Sequence, residues 1–222
     1  MYLVIDTSGK KALVAVGDKM GVMSFGQWLN DNQLSNKIQI EIEKVLTRTK
    51  QPVEAVLCVT GPGSFTSLRV GVATANAFGY AKNIPVVPVT RFEIYEKGSL
   101  ESYDLVILEN IKNLIYTKSY SGDNCEYWVG ETKNAKLTTT AGRKSKNARL
   151  IGEWGPEKKL TLGKIFGLQA LQGTGQEIEG KERAELIIKR GLEVLAEMGE
   201  KDFTLPITPL YINSPNITKP KS

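Results

Sequence analysis

Two short stretches hold the residues that could do chemistry. Asp6-Thr7-Ser8-Gly9 puts a carboxylate and two hydroxyls at the end of an apolar run, a set able to orient Mg²⁺ and a phosphate. The same tetrapeptide is also an ordinary turn, in which Asp and Ser bond their own backbone and Gly9 takes a positive φ. The second stretch is GPGSFTSLRVG, residues 61–71. Its glycines permit a tight reversal, Pro62 fixes one φ, and Ser64 is a good N-cap for the helix that follows. A helix N-terminus can hold an anion, but no lysine follows as in GxxxxGK[ST], so a phosphate grip lacks its cation. Gly173-Thr174-Gly175 is a third, looser glycine pair that a plain turn explains.

The chain contains no histidine. That excludes a Ser-His-Asp triad, a Cys-His pair, an HExxH metal site and any imidazole base. Carboxylate chemistry stays open, with Asp6 and a cleft acid such as Glu109 as the pair that a small ATP-dependent phosphotransferase would use. Cys58 and Cys125 make neither a metal spacing nor a disulfide framework, and no metal site is expected. The 29 basic and 24 acidic residues give a net charge of +5, which permits a nucleic-acid partner without demanding one. The excess concentrates between Lys133 and Arg149, where Lys133, Lys136, Arg143, Lys144, Lys146 and Arg149 stand with no acid among them. A solvated loop explains such a run more often than a docking patch on tRNA does, though both would look like this.

The elements that must position these residues follow from periodicity. YLVID, KALVAVG and GVMSFG read as short strands. A helical pattern near residues 31–49 follows, with Leu34, Ile38, Ile42 and Val45 on one face. VEAVLCVT is a buried strand, residues 64–81 a helix, and IPVVPV another strand. DLVILE, NLIYTKSYS and CEYWVG then repeat the opening, so the chain divides into lobes at 1–97 and 98–222. KERAELIIKRGLEVLAEMG is an amphipathic helix expected to pack, with the proline-rich tail, back toward the first lobe. No apolar run approaches the roughly 18–20 residues that cross a bilayer, and a cytoplasmic, membrane-free protein is expected.

Within the helix over 64–81, Ser67, Gly71, Ala75 and Gly79 recur every four residues and form a smooth groove flanked by Leu68, Val72 and Phe78. Glycine inside a helix costs roughly 1 kcal/mol relative to alanine, so two of them need a packing reason. Either a partner helix or the chain's own sheet could supply it.

Asp6-Thr-Ser8, GPGSFTSLRVG, AFGYAKNIPVVPVT and the terminal PLYI together resemble the bacterial TsaB (YeaZ) family. The similarity is dense over residues 1–95 and thin beyond. The resemblance implies a two-lobed α/β fold of the actin/sugar-kinase (ASKHA) type, with ribonuclease-H-like lobes. It also implies a non-catalytic partner of TsaD in making threonylcarbamoyladenosine on tRNA. On this reading the chain has no cofactor of its own, ATP and metal belong to the partner subunits, a TsaE-type ATPase joins, and tRNA is reached through the complex. The family's first-lobe helices pair with TsaD or with themselves, which makes Leu34, Ile38, Ser64, Ser67, Leu68, Gly71, Val72, Ala75, Phe78 and Gly79 the expected interface. Asp6, Thr7 and Ser8 would be the weaker, nucleotide-binding set. The chain departs from the family at Leu34-Ser35, where His-Ser is common, at Ser67 in place of glycine, and at Glu109-Asn110-Ile111 in place of Asp-Ala-Arg.

Overall fold

The computed structural model describes residues 1–98, 105–109, 114–121, 124–131, 147–153, 170–172, 178–198 and 206–212. The basic run from Lys133 through Lys146 and the Gly173-Thr174-Gly175 turn lie outside the described residues.

The first lobe is a five-stranded sheet. β1 (Tyr2–Asp6), β2 (Lys11–Asp18) and β3 (Gly21–Leu29) form an antiparallel meander, and β4 (Ala55–Gly61) and β5 (Val86–Thr90) add in parallel, giving the order β3-β2-β1-β4-β5. Every residue of β1 and β4 is buried. Their sequences are unbroken apolar runs because helices cover both faces of the sheet.

Alternate residues divide between two cores. Leu3, Ile5, Val14, Val16, Val56 and Cys58 pack under α1 (Leu34–Thr47) and α2 (Phe65–Lys82), against Ile38, Ile42, Val45, Val72 and Ala75. Tyr2, Val4, Leu13, Ala15, Leu57 and Val59 pack on the other side against Ala184, Ile187 and Ile188. Those three belong to a helix from the far end of the chain, Gly180–Glu197. A Cβ at Gly191 would lie 2.8 Å from Leu57 Cδ2, so the glycine lets that helix settle onto β4.

The second lobe repeats the first. β6 (Leu105–Glu109), β7 (Leu114–Ser121), β8 (Asn124–Glu131), β9 (Asn147–Glu153) and β10 (Ala170–Gln172) lie in the order β8-β7-β6-β9-β10, with the same antiparallel and parallel pairings as their counterparts. The opening repeat is legible in the sequence. β9 and β10 are not, because NARLIGE does not alternate and ALQ is too short to carry a period. α3 (Arg91–Gly98), also unanticipated, follows β5 directly. The Gly180–Glu197 helix is α4.

Residues 206–212 form a strap over the first lobe. Leu210 N–H donates to Thr60 C=O at 2.8 Å, and Asn76 of α2 holds Ile207 from both sides, donating to its carbonyl at 2.9 Å and accepting from its N–H at 3.1 Å. Tyr211 stacks on Phe65 at 4.3 Å, and Arg69 lies over the Phe65 ring at 5.4 Å.

Candidate functional site

The Asp6 turn is spoken for by the chain itself. Asp6 Oδ1 accepts from the Ser8 backbone N–H at 2.8 Å and from Ser8 Oγ at 2.7 Å. Its Oδ2 accepts from Arg183 Nε at 2.7 Å and from Arg183 Nη2. Thr7 Oγ1 donates to Ser67 C=O at 2.7 Å, and Asn30 Nδ2 bridges the carbonyls of Thr7 and Gly9 at 2.8 and 2.9 Å. Asp6, Thr7 and Ser8 are 0%, 1% and 2% exposed. Burial works against the charge of Arg183, but the Asp6 and Glu153 carboxylates outweigh it and raise its pKa. The nucleotide expectation for Asp6, Thr7 and Ser8 is therefore corrected. The turn is present in its Asp6–Ser8 bonds, although Gly9 does not take the expected positive φ, and an internal guanidinium occupies the Asp6 carboxylate.

The glycine-rich stretch serves the same turn. Gly61 has φ 128°, the Gly61–Pro62 bond is cis, and a Cβ on Gly63 would run into the backbone of Ser8. The two loops press together, which accounts for the glycines without a ligand. Ser64 occupies the N-cap of α2 with an extended backbone, but its side chain makes no capping bond, contrary to expectation.

The groove on α2 is also filled from within. A Cβ on Gly71 would collide with Thr7 Oγ1 and one on Gly79 with Val86 Cγ2; Ala75 is wholly buried. Leu34, Ile38, Leu68 and Val72 are likewise buried, at 1–4% exposure. A residue seated on the sheet cannot also meet a partner, so Leu34, Ile38, Leu68, Gly71, Val72, Ala75 and Gly79 are core rather than contact surface. Of the expected set, Ser64, Ser67 and Phe78 keep partial exposure.

The opposite face of α2 is the open one. Thr66, Ala73, Ala77, Tyr80 and Ala81 are exposed and Val70 half-buried, a second small-residue stripe turned to solvent. Tyr80 is 92% exposed, and on α1 Ile40 is 52% exposed. No charged residue occurs between Arg69 and Lys82. The sequence signal for this stripe was the missing charge, since a solvent-facing helix ordinarily carries charged residues on its outer side.

A buried polar group joins the first lobe to the second. Arg91, at the start of α3, donates through Nε to Glu153 Oε1 at 3.2 Å and pairs through Nη2 with Glu153 Oε2. Tyr95 hydroxyl also donates to Glu153, and Tyr116 of β7 reaches the Gly63 carbonyl at 3.5 Å. Phe92 and Tyr95 pack with Val106, Leu108 and Tyr116 of the second lobe. Arg183 and Glu153 were missed from sequence because no local pattern links them to Asp6 and Arg91. A usable hint for the first was an arginine directly beside the apolar stripe of α4, which demands a buried acid. Among the described residues no cluster of three metal-ligating side chains occurs, and no helix is long and apolar enough to cross a membrane.

A family model described as TsaD, tRNA N6-adenosine threonylcarbamoyltransferase, matches residues 30–104, the stretch that holds α1, α2 and α3. The chain is 26% identical to the tRNA threonylcarbamoyladenosine biosynthesis protein TsaB of Buchnera aphidicola subsp. Acyrthosiphon pisum, over 43% of this chain and 47% of that one. It is 24% identical to the TsaB of Escherichia coli K12, over 79% of this chain and 75% of that one. The solved structure of YeaZ from Pseudomonas aeruginosa shares the fold with a TM-score of 0.63, across 95% of this chain and 99% of that one, at 14% identity. The architecture, two five-stranded mixed sheets with helices packed on them, is the α/β fold of that structure.

Proposed function

We propose that the chain is a TsaB-type protein, the non-catalytic scaffold subunit in the synthesis of N6-threonylcarbamoyladenosine on tRNA. It binds a TsaD-type catalytic subunit as a heterodimer and holds it in a competent conformation. A TsaE-type ATPase joins the assembly, tRNA is engaged through the complex, and ATP and metal reside in the partner subunits.

The observation that carries this reading is the uncharged outer face of α2. Twelve residues, Val70 to Ala81, contain no charge although Ala73, Ala77, Tyr80 and Ala81 face solvent. Small side chains there let a partner helix approach closely, and Tyr80 offers an aromatic anchor of the kind that dominates interfaces. Ile40 of α1 extends the apolar surface. The alternative, an ATP-dependent phosphotransferase, loses support because Asp6 is paired with Arg183.

The test combines two measurements. Unmodified tRNA, threonine, bicarbonate and ATP are incubated with this chain alone, with TsaD and the other partner subunits from the same organism, and with both, and the nucleosides are read by mass spectrometry. Product is expected only when both are present, and product from this chain alone overturns the scaffold reading. Titration calorimetry of the lone chain with Mg-ATP is expected to show no binding, whereas saturable heat would revive the phosphotransferase.

A further inference from the structure

α3, RFEIYEKG, carries the charged residues Arg91, Glu93, Glu96 and Lys97, and each of them meets an opposite charge outside the helix. Arg91 pairs with Glu153 of β9, and Glu96 with Lys118 of β7 at 2.7 Å. Glu93 accepts from Arg190 Nε at 3.0 Å and Lys97 meets Glu193 at 2.6 Å, both on α4. A helix this short is not stable alone in water, so α3 owes its form to these partners and to the burial of Phe92, Ile94 and Tyr95.

The two pairs that cross to the second lobe have opposite polarity. At Arg91 the helix supplies the cation and the second lobe the acid; at Glu96 the signs are reversed. A slip of the second lobe over α3 that exchanged the partners would set Arg91 against Lys118 and Glu96 against Glu153, and like charges repel. Larger movements meet a second barrier, because Phe92 and Tyr95 pack with Val106, Leu108 and Tyr116 and separation would wet that cluster. A small shift is penalised differently. The Arg91 and Glu153 side chains are 2% and 9% exposed, so they part before water can reach either, and each becomes a buried charge without its counter-ion.

We propose that α3 is a keyed latch that holds the two lobes in one relative orientation and removes the hinge motion a two-lobed chain ordinarily has. The latch also fastens α4. Tyr95 hydroxyl donates to Glu153 and accepts from the Ile178 N–H at 3.3 Å, so the chain returning from the second lobe is tied at the same point just before α4 begins. Pairs from Glu93 and Lys97 hold the body of α4 beyond it. Lobes, latch and α4 therefore behave as one rigid body, and the outer face of α2 keeps a constant relation to the second lobe. The latch is a property of the lone chain and does not depend on the scaffold reading.

The test measures the distance between the lobes in the full chain. Cys125 of β8 is exposed and Cys58 is buried, so Met20→Cys, at a position 94% exposed in the turn after β2, gives one nitroxide on each lobe. Labelled chain is diluted into unlabelled chain, and double electron–electron resonance reads the distribution within single molecules. One narrow distance is expected. Glu153→Gln should broaden it about twofold or more, with far-UV circular dichroism unchanged, as the second lobe samples neighbouring orientations. Lys118→Glu, at the less buried pair, should broaden it too, and serves alone if Glu153→Gln does not fold. Adding Glu96→Lys to Lys118→Glu rebuilds that pair with its signs exchanged and should restore the narrow distance, which general destabilisation would not do. A broad or two-peaked distribution in the chain with α3 intact overturns the proposal. So do single variants as narrow as that chain, or an exchange that restores nothing.

Discussion

Arg183 of α4 donates from Nε to Asp6 Oδ2 at 2.7 Å, joining residues 177 positions apart in a pair that water does not reach. The last carboxylate of β1 is thereby matched by the one cation on the buried side of α4, and the helix is set on the sheet in a single register. The turn that carries Asp6 also receives Gly63 and Gly71, so the ion pair, the glycine loop and α2 share one point of contact.

Removing one member of that pair should be costly. Arg183→Met leaves a buried carboxylate without its cation and is expected to destabilise the fold by about 3–5 kcal/mol. At roughly 2–4 °C per kcal/mol for a chain of this size, the thermal midpoint falls on the order of ten degrees. Asp6→Asn combined with Arg183→Met removes both charges and should recover part of the loss. A single variant that melts like wild type would contradict the burial argument.

Two leucine substitutions separate the faces of α2. Gly71→Leu drives a side chain into Thr7 and should lower the thermal midpoint. Ala77→Leu, on the solvent side, should melt normally and weaken association with TsaD by about 5- to 100-fold, the equivalent of roughly 1–3 kcal/mol of overpacking. Thermal melts and sedimentation with TsaD read the two effects. The outer-face assignment fails if Ala77→Leu binds as tightly as wild type.

Alkaline sensitivity should trace to Tyr95. Burial first, and then the Glu153 carboxylate, raise its phenol above the usual 10.0. A group whose folded pKa is raised contributes stability that is complete below the unfolded pKa and declines as pH climbs beyond it. Wild type should therefore lose stability above about pH 10. Tyr95→Phe gives up the bond to Glu153, about 1–3 kcal/mol at neutral pH, and in return should show a shallower decline in that window. Parallel slopes for the two proteins would acquit Tyr95.

The two thiols should differ sharply. Burial, and then the nearby Asp6 charge, push the Cys58 thiol up and keep it protonated, whereas Cys125 is exposed. A disulfide reagent at mildly alkaline pH should label one cysteine per native chain and the second only in denaturant. Rapid labelling of both in the native protein would mean that the core under α1 and α2 opens readily.

Much of the first lobe could be read directly from the residues. YLVID and VEAVLCVT are continuous apolar runs because both of their faces are covered, and Leu34, Ile38, Ile42 and Val45 mark the buried side of α1. The orientation of α2 could not be read in the same way. It has two small stripes, one through Ser67, Gly71, Ala75 and Gly79 and another through Thr66, Val70, Ala73, Ala77 and Ala81. Composition does not say which meets the sheet; the position of Thr7 against Gly71 does. Asp6 drew attention as a ligand because its cation lies at the other end of the chain, beyond any local window.

The seating of α4 also sets a timetable for synthesis. One face of the first sheet, with Tyr2, Val4, Leu13, Leu57, Val59 and Val87, is covered by a helix that ends at Glu197, whereas β5 ends at Thr90. At roughly 5–20 residues per second, a ribosome needs about 5–20 s to bridge that gap. During that interval the nascent sheet presents a bare hydrophobic face, a natural substrate for a ribosome-bound chaperone. A chain stopped at Gly98 is accordingly expected to aggregate, and to become soluble when a peptide spanning residues 178–198 is supplied in trans. A soluble, cooperatively melting fragment 1–98 would show that the sheet can wait unaided.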